Sequence, residues 1–239
     1  MVSVGLLALT ASAQATNLVV NGDFEQLLVP GYAAEFGGRF PSQQVTGWTT
    51  NGYNFVFTPS SADTSGSYGE YAGLTLWGPQ NGSANGLPAT SPAGGNFLAM
   101  DGAYAVGSIS QTIDGLTPGQ NTTVSFYWAG AQQHGYNGAT TEQFQVSLGT
   151  QVEYTPVVSN ASHGFTGWQQ ESLTFTPTSS REVLSFLAIG TPSGVPPFSL
   201  LDGVSIGAPE PGTCALAGLA FSGAAFFGVL RRKSSGEKL

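Results

Sequence analysis

The chain has 239 residues, one cysteine and a formal net charge of −8, with only 8% charged residues. One cysteine excludes an internal disulfide framework and a cysteine-cluster metal site. The acidic balance excludes nucleic acid as a partner, because no basic surface can be assembled to meet phosphates. Of the six Lys and Arg, only Arg39 and Arg181 lie outside the C-terminal end, against twelve acids from Asp23 to Asp202, so that the body is near −10. Ser, Thr, Asn and Gln then supply the polar surface, as suits an exported protein.

The first fifteen residues are an apolar run closed by Ala13-Gln14-Ala15. That ending fits signal-peptidase cleavage before Thr16. A positive segment before the apolar run is missing, which is read as a start lying upstream. The alternative is a buried first strand or helix.

From residue 16 to residue 207 no long amphipathic helical period appears. Runs of β-branched and aromatic residues alternate with Gly, Pro, Asn and Ser clusters. Strands are expected at 17–20, 46–50, 53–57, 96–100, 107–113, 121–130, 141–148, 152–158, 168–176, 182–189 and 198–206. The clearest has Val124, Phe126 and Trp128 on one face and Ser125 and Tyr127 on the other. This spacing predicts an antiparallel β-sandwich. Residues 59–95 differ: they are rich in Ser, Gly, Asn and Pro, with Tyr68, Tyr71 and Trp77 embedded. They read as a long excursion from the sandwich. No repeat of fixed period is present, so a solenoid is not expected.

After residue 207, Pro209-Glu210-Pro211 precedes an uncharged run from Cys214 to Leu230, and Arg231-Arg232-Lys233 follows. As a helix the run is about 25 Å long, the short limit for crossing a bilayer. The cations would stay cytoplasmic and leave the body on the outer side. Cys214 reads as a small apolar filler at the membrane edge rather than a lipid-attachment point.

This tail resembles the PEP-CTERM sorting signal of Gram-negative, exopolysaccharide-producing bacteria, a tail also described as an ice-binding protein C-terminal domain. The resemblance covers about 30 residues, with the three features in the right order. It implies recognition by an exosortase-like membrane enzyme and removal of the tail near the Pro-Glu-Pro motif. A membrane-held intermediate would then give way to the cell surface or extracellular matrix. The alternative is a plain C-terminal anchor.

The body resembles the galactose-binding-like jelly rolls of exported bacterial proteins. The likeness rests on Asn17-Leu18-Val19-Val20-Asn21-Gly22-Asp23-Phe24-Glu25, on residues 96–102 with 107–119, and on Leu200-Leu201-Asp202-Gly203-Val204-Ser205-Ile206. It implies a structural Ca²⁺ where the first strand's exit meets the last strand, held here by Glu25 and Asp202. Hard oxygen ligands suit that ion. The alternative is that both carboxylates accept backbone N–H groups or face solvent.

No catalytic residue is assigned. His134 and His163 both precede a glycine in loop-like sequence, and no nucleophile elbow, zinc-binding helix or phosphate loop is present. A hydrolase using dispersed carboxylates stays open. A sugar site needs an aromatic platform. The aromatics available are Trp48, Trp77, Trp128 and Trp168, with Tyr53, Tyr68, Tyr71 and Tyr136. Trp48 and Trp128 read as core, which leaves Trp77 and Trp168 as the candidate carbohydrate contacts, with a packed loop anchor as the alternative for Trp77. The expected protein is therefore a non-catalytic, exported all-β matrix component with one C-terminal transmembrane helix. A lectin-like carbohydrate-binding module is the alternative.

Overall fold

The computed structural model describes residues 17–37, 43–70 and 72–207. The expected signal peptide 1–15, Arg39, Tyr71, Pro209, Glu210, Pro211, the apolar run 214–230 and Arg231, Arg232 and Lys233 lie outside the described residues. Among the described residues no helix is long and apolar enough to cross a membrane.

Eleven strands follow in order: β1 (Thr49–Thr50), β2 (Asn54–Phe57), β3 (Phe97–Asp101), β4 (Ile109–Asp114), β5 (Thr122–Gln132), β6 (Thr140–Leu148), β7 (Gln151–Tyr154), β8 (Val158–Asn160), β9 (Gln169–Phe175), β10 (Arg181–Thr191) and β11 (Pro197–Ile206). They form two antiparallel sheets. One runs β1-β4-β10-β6-β7, with β8 also paired to β6; the other runs β2-β3-β11-β5-β9.

The alternation of apolar and polar residues in β4, β6 and β10 puts one face of the first sheet against the second. Phe126 of β5 meets Phe186 edge-on at 5.1 Å, Phe144 meets Phe186 at 5.9 Å, and Trp128 meets Phe144 at 6.1 Å. Each such pair contributes about 0.5–1.5 kcal/mol beyond its buried area.

The second sheet departs from alternation at one end. β2 and β3 are buried on both faces, as are the last half of β5 and the first half of β11. The cause is the excursion at 59–95. Its Ala62, Leu74, Leu76 and Leu87 form a second core with Phe55, Phe57, Phe97, Ala129, Ala131, Phe198 and Leu200. The excursion is thus a cover over the outer face of this sheet. Each large side chain it buries is worth about 1.5–3 kcal/mol.

Three expected strands differ. The run 46–50 shrinks to the two residues of β1. Residues 17–20 form only an isolated bridge, Asn17 to Gly207. The amide of Gln111 takes the place of a neighbouring strand: its Oε1 accepts from Val20 N at 2.8 Å and its Nε2 donates to Val20 O at 2.8 Å. The expected strand 152–158 is two strands, β7 and β8, broken at Thr155-Pro156. Pro156 has no N–H to donate to a ladder. Thr155 Oγ1 instead accepts from Phe144 N at 2.9 Å.

Candidate functional site

Antiparallel pairing brings four strand ends together. The start of β2, the end of β3, the start of β11 and the end of β5 lie at one edge of the second sheet. The loops leaving these ends enclose a recess of about 450 Å³, lined in part by Tyr53, Asp101, Tyr104, Gln133, Tyr136 and Ser193. That size lies within the range of small-ligand pockets, ~300–1,000 Å³.

Each tyrosine is positioned by its own local structure. Tyr53 packs edge-on against Phe55 at 4.4 Å, and its backbone joins Asp101 N and Ala105 O. Tyr104 is carried on the turn after β3. Asp101, buried, shapes that turn: Oδ1 accepts from Ala103 N and Tyr104 N at 2.9 and 3.1 Å, and Oδ2 accepts from Ala105 N at 2.9 Å. Tyr136 follows β5 and is held by its carbonyl, which accepts from Trp77 Nε1 at 2.9 Å. Tyr104 is 76% exposed and Tyr136 41%. Exposed aromatic rings around a recess supply stacking faces, and their hydroxyls with the Gln133 amide supply hydrogen bonds.

Neither expected tryptophan lines this recess. Trp77 lies behind it, with His163 stacked against its ring at 3.9 Å and His134 at 4.2 Å. His163 Nε2 in turn pairs with Asn137 Oδ1 at 2.7 Å. Trp77 thus anchors the excursion to the loop bearing Tyr136. Trp168 meets Phe97 edge-on at 5.6 Å and Phe165 at 6.3 Å, and belongs to the second core. Tyr53 and Tyr136 are in the sequence inventory of aromatics, whereas Tyr104 is not. Its signal is an aromatic placed just after Asp101-Gly102 with no apolar neighbour in register to bury it.

Glu25 and Asp202 lie at a second place, where the first segment meets β11. A register shift between Asp202 and Ser205 interrupts the β5–β11 ladder. Val204 N there donates to Gly22 O at 2.8 Å. Asp202 is fully buried. It accepts from Ser91 Oγ, and from Gly203 N at 2.7 Å. Burial pushes its acid up to about 8; the two hydrogen bonds pull it back, and the charges of Glu25 and Asp23 push it further. Glu25 accepts from Asn96 N. A Cβ on Gly95 would fall 1.8 Å from Glu25 Oε1, so only glycine at this positive φ leaves room for the carboxylate. Among the described residues no group of three Asp, Glu, His or Cys side chains converges as metal ligands. The negative charge and hard oxygens fit Ca²⁺ in kind, and backbone carbonyls or water would have to complete its shell.

One further acid is buried. Glu142 is pushed up to about 7 by burial, against the pull of hydrogen bonds with Thr140 and Asn160. Its Oε2 has no partner. Neither Glu142 nor Asp202 lines the recess.

The family described as "Protein of unknown function (DUF642)" matches residues 77–206, just over half of the chain. No curated protein matches it. Among solved structures, TmCBM61 in complex with β-1,4-galactotriose is 16% identical, covering 80% of this chain and 98% of that one, with a TM-score of 0.39. The CBM22-1 xylan-binding domain from Paenibacillus barcinonensis Xyn10C is 14% identical, covering 82% and 97%, with a TM-score of 0.36. The K1 cleaved adhesin domain of Lys-gingipain from Porphyromonas gingivalis is 12% identical, covering 77% and 99%, with a TM-score of 0.38. All three are distant likenesses, and none carries a role onto this chain.

Proposed function

We propose that the chain, which belongs to the DUF642 family, is an exported, non-catalytic glycan-binding protein whose site is the recess of Tyr53, Tyr104 and Tyr136. The observation that carries this reading is the convergence of three tyrosines on one recess, with Tyr104 76% exposed. What marks the site is several aromatic rings gathered with polar groups around one concave recess, rather than one exposed ring. Pyranose rings present apolar C–H faces to such rings, and their hydroxyls pair with phenol and amide groups. Tyr104 and Tyr136 provide the faces; Gln133 and Ser193 orient the sugar. Asp101 contributes indirectly, because both its oxygens are committed to the turn that holds Tyr104.

The jelly-roll, galactose-binding-like reading of the sandwich belongs with this proposal. So does delivery: the Pro209-Glu210-Pro211 tail supports sorting by an exosortase-like enzyme to an exopolysaccharide-rich surface. A mature protein ending near Pro209 to Gly212, read by mass spectrometry from its own host, tests that step. Glu25 and Asp202 would hold a structural Ca²⁺ that neutralises buried negative charge where the two ends of the body meet.

Affinity electrophoresis through gels containing single polysaccharides tests the glycan site. The protein is expected to be retarded by at least one polymer, and the Tyr104→Ala, Tyr136→Ala double variant to run freely with an unchanged melting temperature. Retention of full retardation by the double variant refutes the site.

A further inference from the structure

The charges around the tyrosine recess define what class of glycan it accepts. We propose that it takes a neutral saccharide and discriminates against uronate-bearing polymers, a class assignment that rests on the glycan-binding reading of the same recess.

Recognition of a ligand carboxylate needs a guanidinium, an ammonium or a cradle of free backbone N–H groups. Among the described residues no Lys or Arg lines the recess. Of the described lining residues, Asp101 alone carries a formal charge. The N–H groups of residues 103, 104 and 105 converge as such a cradle does, and the Asp101 carboxylate already fills it. An incoming carboxylate therefore finds its natural seat taken by a group of its own sign.

The described residues offer no distant compensation. Arg181 is the one Lys or Arg among the described residues. It opens β10 and pairs with Asp114 at 3.6 Å. Ser193, on the recess wall, follows the other end of that strand at Thr191. At about 3.3 Å per residue the strand separates them by roughly 30 Å, more than three Debye lengths at physiological salt. The remaining polar lining is phenol, amide and hydroxyl, which matches the hydroxyls of an uncharged sugar.

The test compares polygalacturonate and alginate with the same two polymers after carboxyl reduction, alongside neutral glucan, xylan and mannan. Affinity electrophoresis is run at pH 6 with EDTA, where uronates are ionised, Asp202 keeps its proton and calcium cannot bridge acid to acid. A reduced polymer or another neutral polymer is expected to retard the protein, and the uronate parents at least tenfold more weakly. That preference is expected to survive 0.3 M NaCl, where repulsion by the whole acidic body is screened, and to narrow in Gln133→Arg. Tyr104→Ala is expected to abolish the retardation. Equal or tighter Tyr104-dependent binding of the uronate parents overturns the neutral class while leaving the glycan site standing. Collapse of the preference at 0.3 M NaCl overturns its origin in the recess. Failure of every polymer, neutral and acidic, overturns the glycan-binding reading itself.

Discussion

Asp202 couples stability to pH and, through the proposed calcium site, would couple it to calcium in the opposite sense. In the fold its acid is pushed from 3.8 up to about 8. A raised folded-state value means that the fold holds the proton more tightly than the unfolded chain does. Stability is then fully present below pH 3.8 and falls as pH rises toward 8. At about 1.4 kcal/mol per unit, four units amount to on the order of 5 kcal/mol, a large part of the ~5–15 kcal/mol that holds a typical domain folded. At the proposed site, calcium would bind the ionised carboxylate and restore about 2.7 kcal/mol at a hundredfold excess over its dissociation constant. The perturbation is Asp202→Asn, which keeps an oxygen for Gly203 N while Ser91 Oγ turns from donor to acceptor. The assay is urea unfolding between pH 4 and 8, followed by tryptophan fluorescence, in chelator and in millimolar calcium. The native protein in chelator should lose stability as pH rises, and calcium should restore it near pH 8. Asp202→Asn should show a flatter profile and no calcium response. A native profile in chelator that is flat or rising from pH 4 to 8 refutes the reasoning.

Glu142, pushed from 4.5 to about 7 by burial, acts in the narrower window between those values. Glu142→Gln should match the native protein at pH 4 and exceed it at pH 8 by a few kcal/mol, on the order of 1.4 per unit, in the same unfolding series. Gly95→Ala places a methyl 1.8 Å from Glu25 Oε1 at a φ of +62°; it should lower stability by ~1–3 kcal/mol and abolish any calcium response in melting. Trp77→Phe keeps a ring beside His134 and His163 but removes the donor to Tyr136 O. About 1 kcal/mol of stability should be lost, and glycan retardation should weaken more than that loss explains.

Much of the sandwich was legible in the sequence because each half-buried strand repeats every two residues. Val124, Phe126 and Trp128 read as one face and occupy one core. The cover over the second sheet was not legible. Leu74, Leu76 and Leu87 are scattered among Gly, Ser and Asn without a period, and the phenylalanines they bury lie far off in sequence. The doubly buried runs of β2 and β3 hinted at a covered face, since both lack alternation. The recess was hidden for a related reason. Tyr53, Tyr104 and Tyr136 are about 30 to 50 residues apart in the chain, and only antiparallel pairing brings their loops to one edge. Trp77 and Trp168, the tryptophans outside the alternating core strands, are half-buried and packed against His163 and Phe97.

The most direct measurement is a two-dimensional amide NMR titration with an oligosaccharide cut from whichever polymer retards the protein. Saturable shifts should cluster on the turn bearing Tyr104, on Gln133 to Tyr136 and on Ser193 to Gly194, and should vanish in the Tyr104→Ala, Tyr136→Ala double variant. Shifts confined to another face, or unchanged in that variant, contradict the assignment of the tyrosine recess as the binding site.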